Sequence, residues 1–152
     1  RPEASLSRAE AVTLLSRLSV DGDGNNLYPG QATAPFSDVD RSAWYASYVA
    51  FAWEYGVADG YLDGTFRPDD PVTREQFCTI LSRYIQKQGA DYPTKDVSFT
   101  DEDAISNFAK EHVAYCASIG LVNGMKDGSF APKANIKRAE AAAIMVRLVQ
   151  LG

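Results

Sequence analysis

Residues 59–76 read DGYLDGTFRPDDPVTREQ, and residues 123–140 read NGMKDGSFAPKANIKRAE. The two stretches match at a constant offset of 64 positions (138 minus 74), which aligns Asp63-Gly64 with Asp127-Gly128, Pro68 with Pro132 and the two Arg-containing ends. Moving back a further 66 positions (74 minus 8) reaches a third Arg-containing end, Leu6 to Glu10, which reads LSRAE. A recurrence at a fixed period is typical of a repeat protein, so the repeat is the basis for predicting the fold.

Each complete repeat predicts a first helix followed by turns. In the second repeat, aromatic and small residues at helical spacing predict an amphipathic helix over residues 43–55. Gly56, matched by Gly120, stands where a left-handed residue ends a helix. Two tight turns are then predicted at 59–60 and 63–64, and again at 123–124 and 127–128, because Asp-Gly and Asn-Gly pairs favour turns.

A second helix is predicted to follow these turns. Ser7 with Glu10, and Thr73 with Gln76, fit the capping-box pattern in which two side chains satisfy the first backbone N–H groups of a helix. In the third repeat Lys137 replaces the capping hydroxyl, so either Asn135 takes over or the cap is weaker. Apolar residues recur at matched positions of the three second helices and predict a core face: Leu14, Leu15, Leu18, Ile80, Leu81, Tyr84, Ile144, Met145 and Leu148.

The repeat boundaries divide the chain into five segments. The back half of a first repeat occupies residues 1–20, beginning at Arg1-Pro2, which matches Arg67-Pro68; a linker covers 21–35, the second repeat 36–87, another linker 88–98, and the third repeat 99–152. The front half of the first repeat is missing. Because repeats of this kind bury their apolar faces against neighbours, one face is expected to stay exposed unless another segment covers it.

Composition excludes several classes of protein. Hydrophobic residues make up 45% and charged residues 23% of the chain, which is typical of a folded globular protein. A net charge of −5 argues against nucleic acid as a partner, since phosphate binding needs concentrated Lys and Arg. No apolar run approaches the roughly 20 residues of a membrane-spanning helix, so membrane insertion is not expected. Cys78 and Cys116 align with alanines and are interpreted as small core residues.

The second repeat carries the fullest pattern: FSDV at 36–39, then Trp44, Gly56 and Gly60, DGTFRP at 63–68 and VTRE at 72–75. This combination resembles an S-layer homology motif from end to end. The third repeat is similar but has Phe108, Ala131 and Lys137 where the pattern has Trp, Arg and Thr. The resemblance implies an all-α fold in which tandem motifs form a pseudo-threefold helical spindle. It also implies a bacterial cell-surface location and non-covalent attachment to the cell wall through anionic, pyruvylated secondary cell-wall polysaccharide.

The resemblance implies a ligand-binding set at the starts of the second helices: Arg8, Glu10, Arg74, Gln76, Arg138 and Glu140. The position of the arginines has a physical interest of its own. A cation in the first turn of a helix is unfavourable by about 0.3–1 kcal/mol, because the helix dipole is positive there. A bound carboxylate, held by free N–H groups and a guanidinium, would offset that cost. The alternative is that each arginine pairs with an acid of the neighbouring repeat and locks the repeats together.

Three further residues are candidates for sugar contact. Trp44 has a ring able to stack on a sugar face, and the alternative is packing against the next helix. Gly60 and Gly124 would let a sugar approach the backbone closely, whereas turn geometry alone also explains a glycine.

The function predicted from these features is surface anchoring by carbohydrate binding, without catalysis, cofactor or metal. The alternative is a protein–protein assembly module, with the missing half-repeat or a second copy of the chain as partner. A glycoside hydrolase needs two positioned carboxylic acids, and most acids here fall at caps and turns. His112 is the only histidine. The segment 21–25 resembles the start of a calcium loop but has Ala32 where the bidentate Glu would stand.

Overall fold

A computed structural model describes residues 3–18 and 34–151. Five α-helices and one 3₁₀ turn lie within these ranges: α1 Arg8–Ser16, α2 Ala46–Glu54, α3 Arg74–Lys87, the 3₁₀ turn Glu102–Ala104, α4 Lys110–Ser118 and α5 Arg138–Leu151. The described residues contain no β-strand, so the prediction of an all-α chain is confirmed. Arg1-Pro2, the calcium-like segment 21–25 and most of the linker 21–35 lie outside the described residues. No described helix has the length and apolar character needed to cross a bilayer.

The first helix of the second repeat begins later than predicted. Helix α2 starts at Ala46 rather than at residue 43, and Trp44 therefore precedes it. The Asp40 carboxylate accepts hydrogen bonds from the Ser42 N–H and hydroxyl, both at 2.8 Å. A side chain that bonds its own backbone two residues ahead forms a turn that competes with helix. This turn delays the start of α2.

Glycine ends both first helices as predicted. Gly56 has φ 77° and Gly120 has φ 84°, in the left-handed region. The N–H of the following residue returns to a carbonyl in the last turn, from Val57 to Ala52 at 3.0 Å and from Leu121 to Cys116 at 2.9 Å. These bonds form the Schellman motif, which satisfies carbonyls that a helix end otherwise leaves free.

Of the two turns predicted after each first helix, only one is present. Gly64 and Gly128 have φ 82° and 86° in turns at the positions expected. The tight turns predicted at 59–60 and 123–124 are wrong, because the chain there is not turned and neither Gly60 nor Gly124 has positive φ. Glycine is needed at 60 for a different reason: a Cβ would overlap the Phe36 ring and lie 2.6 Å from the Thr65 carbonyl oxygen.

The starts of α1 and α3 have complete capping boxes. Ser7 and Glu10 exchange hydrogen bonds at one start, and Thr73 and Gln76 do so at the other, as predicted. At α5 the Lys137 N–H donates to Glu140 at 3.4 Å. A lysine side chain has no acceptor with which to return the bond, so the cap of α5 is weaker.

The chain forms two compact bodies. One consists of Ser7–Asp70, in which α1 packs on α2; the other consists of residues 3–6 and 71–151, in which α3 packs on α4. The predicted core face is largely confirmed: six of its nine residues are buried, whereas Leu14, Leu18 and Met145 are partly exposed. Cys78 and Cys116 are free and buried as predicted, with exposed fractions of 1% and 0%.

Three equivalent residues, one from each repeat, form a closed ring of backbone hydrogen bonds in the second of these bodies. Leu6 N–H donates to the Ile136 carbonyl, Ile136 N–H to the Val72 carbonyl, and Val72 N–H to the Leu6 carbonyl, at 3.0, 3.0 and 2.9 Å. All three side chains are buried. Each residue stands two positions before the arginine of its repeat. The ring therefore fixes where the second helices begin. The pseudo-threefold arrangement of the whole chain stays a prediction.

Candidate functional site

The first backbone N–H groups of the second helices are already bonded to protein carbonyls. Arg8 N–H donates to Asp70, Arg74 N–H to Ala134 and Arg138 N–H to Ala4, at 2.8–2.9 Å. The next amides, of Ala9 and Glu75, donate to proline carbonyls at 2.9 and 3.1 Å. The expectation that free N–H groups at these helix starts hold a carboxylate is therefore wrong for these amides. Loops of the chain itself take the place of the anion.

Carbonyl groups and aromatic rings of the second repeat enclose the Arg8 side chain, and we call this enclosure the arginine box. Its Nε donates to the Phe66 carbonyl at 2.8 Å and a terminal nitrogen donates to the Asp59 carbonyl at 3.2 Å. The guanidinium also lies over the rings of Phe66 and Tyr61, at 4.7 and 4.9 Å from their centroids. Burial lowers the pKa of Arg8, and the nearby Tyr61 and Asp70 partly oppose this. Carbonyls and aromatic faces thus stabilise a cation that is only 6% exposed.

Arg74 lies in a matching box made by the third repeat. Its Nε donates to the Phe130 carbonyl at 2.8 Å, a terminal nitrogen donates to the Asn123 carbonyl at 3.3 Å, and the Phe130 ring centroid lies 4.9 Å away. Its other terminal nitrogen pairs with the carboxylate of Glu140. The alternative interpretation, in which an arginine pairs with an acid of the neighbouring repeat, is thus realised at Arg74.

Arg138 differs from the other two arginines. Its side chain is exposed, whereas Arg8 and Arg74 are each 6% exposed. The three predicted arginines are therefore not three equivalent binding groups. Arg8 and Arg74 are buried, and their hydrogen bonds and ring contacts hold the surrounding loops in place.

A groove of about 370 Å³ opens beside Arg74 and combines three of the predicted residues. Arg74, Gly124 and Glu140 line it together with a third charged residue, Arg147, whose guanidinium donates to the Leu121 carbonyl at 2.9 Å. The remaining lining comes from the turn of the third repeat and from α5: Val122, Asn123, Met125, Ala139, Ala143 and Ile144. Two guanidinium groups and one carboxylate give the groove a net positive charge within an acidic protein.

Trp44 is 60% exposed. Its ring meets Tyr45 edge-on at 5.5 Å and Tyr48 at 6.4 Å. The Trp44 ring thus contacts α2 through Tyr48 and leaves most of its surface in solvent, so the choice between packing and sugar stacking stays a prediction. The ring is thus accessible for stacking.

The remaining predicted residues have structural partners. Glu10 and Gln76 accept the backbone N–H of the cap residue at 2.9 and 3.0 Å. At Gly60 the close neighbours of the backbone are the Phe36 ring and the Thr65 carbonyl of the same body. At Gly124 a Cβ would lie 2.9 Å from the Ser129 carbonyl oxygen, but this glycine also borders the groove.

Sequence reasoning missed two acidic clamps. Asp38 accepts the N–H groups of Phe66 and Arg67, both at 2.8 Å, and Asp101 accepts those of Phe130 and Ala131 at 2.8 and 2.9 Å. Each clamp holds a non-glycine residue, Arg67 or Ala131, at φ 58°. The Asp-rich segment before each first helix was a visible signal, but its partner lies about 29 residues away.

A buried carboxylate was also missed. Glu75 is 3% exposed and accepts hydrogen bonds from the Ser106 N–H and hydroxyl at 2.9 and 2.6 Å, and Lys133 lies 3.3 Å away. The first and third repeats have alanine at the matched position, so this network belongs to the second repeat alone. The interruption of a repeated alanine by a glutamate was the signal available in the sequence.

With this geometry in place, the comparison with known families is decisive. The profile of the S-layer homology domain matches residues 35–78 and 98–142. The chain belongs to the S-layer homology family. The two matches cover the Asp clamps, the first helices, the turns and the starts of α3 and α5. S-layer homology domains are non-catalytic modules of the cell surface, and this chain is accordingly a surface-anchoring module.

Similar proteins include a cell surface glycoprotein 1 of Acetivibrio thermocellus, 33% identical over 158 residues that cover 100% of this chain and 7% of that protein. A cellulosome-anchoring protein of the same organism is 31% identical over 100% of this chain and 34% of its own length. An amylopullulanase of Thermoanaerobacterium thermosulfurigenes is 36% identical over 98% of this chain and 8% of its own length. The chain thus spans about a third or less of these relatives.

Proposed function

We propose that this S-layer homology module anchors its parent protein to the cell wall by binding an anionic, pyruvylated polysaccharide in the groove beside Arg74. The observation that supports the proposal is the groove itself, because it is lined by the partly exposed Arg147 above the buried guanidinium of Arg74, together with backbone and small side chains. The name of the cellulosome-anchoring relative favours attachment as the role. The module acts by binding alone, and any catalysis belongs to other parts of a longer protein.

The chemistry of the groove suits a carboxylate attached to a sugar. Arg147 keeps donors beyond the one that bonds to the Leu121 carbonyl, since a guanidinium carries five N–H groups in a fixed fork. A carboxylate accepts two parallel bonds from such a fork. Arg74 supplies positive charge from the floor, and its carbonyl and ring contacts hold it in place. Gly124 contributes backbone to the wall of the groove against which a pyranose would lie.

Glu140 gives the groove a means of selection. Its carboxylate pairs with Arg74 and is about one-third exposed, 34%, at the rim of the cleft. A neutral sugar with hydroxyl donors gains a hydrogen bond there, whereas a densely anionic polymer is repelled. The groove therefore favours a ligand with one acidic group and several hydroxyls, which describes a pyruvate ketal on a sugar.

The test is sedimentation of the chain with purified cell walls, before and after chemical removal of pyruvate. Wild-type protein should bind intact walls and lose at least tenfold in affinity for depyruvylated walls. Arg147→Gln should lose about tenfold on intact walls, because one charge-assisted bidentate contact is removed.

The matched control is Arg17→Gln. Arg17, the residue directly after α1, corresponds in the repeat to Arg147, and it carries the same charge but does not line the groove. This variant should bind walls like the wild type. Equal binding by Arg147→Gln and wild type, with both folded by thermal melting, would refute the assignment of the groove. Undiminished binding to depyruvylated walls would refute the ligand instead.

A further inference from the structure

Two buried thiols meet where helix α4 packs on helix α3. Cys78 lies in α3 and Cys116 in α4, and their exposed fractions are 1% and 0%. The Cys116 thiol donates to the Cys78 carbonyl at 3.5 Å. A hydrogen bond with the Cys78 side chain, followed by burial, raises the pKa of Cys116. Each cysteine is therefore in direct contact with the other inside the core.

The pair of cysteines is specific to this one contact between helices. The chain has two cysteines in all, and the packing of α4 on α3 brings both together. The matched positions of α1 and α2 have Val12 and Ala52, and α5 has Ala142 at the position of Cys78. Valine and alanine are thus sufficient for the repeat at these positions. Packing explains one small core residue, but it does not explain why both partners of one contact are cysteine.

The geometry of the contact suits a covalent bond between the two sulfurs. Disulfides join cysteines whose Cα atoms lie about 4.4–6.8 Å apart, which requires neighbouring backbones and side chains that face each other. The Cys116 sulfur lies beside both the backbone and the side chain of Cys78. We therefore expect rotation of the two side chains to bring the sulfurs to bonding distance without a displacement of either helix. Both cysteines belong to the same compact body.

We propose that Cys78 and Cys116 are an oxidation site, and that a disulfide between them links the second repeat to the third and stabilises the chain at the cell surface. Disulfides form and persist outside the cytoplasm, where conditions are oxidising. The oxidant is a disulfide-bearing thiol oxidoreductase or small-molecule disulfide. One cysteine thiolate attacks the disulfide of the oxidant and releases its first thiol, and the other cysteine attacks the mixed disulfide and releases the second. The two cysteines lose two protons and two electrons, which the oxidant gains.

Burial determines when this exchange takes place. The thiolate is the attacking species, and in the folded chain Cys116 is an inaccessible thiol with a raised pKa. The bond therefore forms while the chain folds, before α4 closes on α3. Once α4 has closed, the same burial shields the bond from reductants.

Refolding in a glutathione buffer tests the proposal. The reduced chain is unfolded in guanidinium chloride and diluted into a mixture of oxidised and reduced glutathione. After alkylation in denaturant, the intact mass should show the loss of two hydrogen atoms and no alkylated cysteine. A peptide map without reductant should contain Cys78 linked to Cys116, and the chain should sediment as a monomer. Two free thiols, a glutathione adduct or a disulfide-linked dimer would each overturn the proposal.

Thermal melting measures the stabilisation. The oxidised chain should melt at least about 5 °C above the reduced chain, because the link closes a loop of 38 residues (116 minus 78) in the unfolded state. The matched control is the double variant Cys78→Ala/Cys116→Ala, which has the alanines of the matched positions 142 and 52. It should melt at the same temperature after refolding with and without oxidant. Equal melting of the oxidised and reduced wild type would contradict the proposed stabilisation.

The rate of oxidation tests the order of events. The reduced chain should lose its thiols to oxidised glutathione at least tenfold more slowly when folded than when unfolded in denaturant. Equal rates would show that burial does not control the exchange and would overturn the proposed order. Neither cysteine lines the groove beside Arg74, so these outcomes are independent of wall binding.

Discussion

The arginine boxes around Arg8 and Arg74 share their contacts with a phenylalanine and differ in the other residues beside the guanidinium. Around both Arg8 and Arg74, the Nε bonds to a phenylalanine carbonyl at 2.8 Å and the guanidinium lies over the ring of that phenylalanine. Beside Arg8, Tyr61 adds a second ring, which also stacks with Arg67 at 3.7 Å. The matched residues beside Arg74 are Met125 and Ala131, and Glu140 supplies an acid.

This difference separates the contacts that pack the repeats from the features that we assign to ligand binding. Both arginines make the same carbonyl and ring contacts, so these contacts belong to the packing of consecutive repeats. Met125, which is smaller than Tyr61, lines the groove beside Arg74, and it is there that we propose an anionic ligand to bind. The recurring arginine is therefore a feature of the repeat, whereas its variable neighbours distinguish the groove that we propose as the binding site.

The largest effect is expected when the arginines themselves are replaced. Arg8→Ala and Arg74→Ala should each lower the free energy of unfolding by about 3 kcal/mol, because two buried carbonyls lose their donors. The two losses should agree to within about 1 kcal/mol, since Glu140 is partly solvated. Exposed Arg138→Ala should cost no more than about 0.5 kcal/mol. Urea denaturation measures all three, and near-zero losses for Arg8 and Arg74 would make them binding groups rather than structural ones.

The acidic clamps provide a second comparison. Asp101→Ala should cost about 2 kcal/mol and Asp38→Ala about 1 kcal/mol, because charged hydrogen bonds matter more at the less exposed site. Hydrogen bonds from Phe130, and then Ala131, lower the pKa of Asp101. A lowered folded-state pKa contributes stability above the unfolded pKa of about 3.9, and this is lost as pH falls through the folded value. Denaturation from pH 6 to pH 2 should therefore show a shallower acid loss for Asp101→Asn.

The smallest effect concerns the left-handed residues. Ala131→Gly should stabilise the chain by about 0.5 kcal/mol, because glycine adopts φ 58° without the steric cost that alanine has. Arg67→Gly should give no gain, since it also removes the contacts with Tyr61 and Asp63. Thermal melting of both variants decides the matter, and a gain at Arg67 equal to that at Ala131 would show that the Tyr61–Arg67 stack contributes nothing.

Much of the fold was predictable because its determinants are local. The capping residues Ser7 and Thr73 and the helix-ending Gly56 and Gly120 act within a few residues of their position. The turns at 59–60 and 123–124 were mispredicted because contacts with residues distant in the sequence, rather than a local turn, require glycine at 60 and 124. Phe36, which excludes a side chain at Gly60, lies 24 residues earlier in the chain (60 minus 36), and no local rule detects such a contact.

The candidate site was only partly predictable for the same reason. Arg74, Gly124 and Glu140 could be found because they recur, and the structure brings them to one groove. Arg147 also recurs, at the matched positions Arg17 and Arg83, but this recurrence does not distinguish a groove residue from a solvated charge. The assumption of open amides at helix starts was wrong because the carbonyls that fill them, such as Ala4 for Arg138, come from another repeat.

The ring of Leu6, Val72 and Ile136 has a consequence for biogenesis. Leu6 leaves the ribosome 130 residues ahead of Ile136 (136 minus 6), yet its N–H has that residue's carbonyl as its acceptor. The Leu6 N–H therefore gains this acceptor only after Ile136 has been translated, although the Leu6 carbonyl can already accept from the Val72 N–H. The closure of such a long loop makes the final step of assembly slow and all-or-none at this point. The ring therefore closes only when Ile136 joins Leu6 and Val72, whatever has formed around those two residues before.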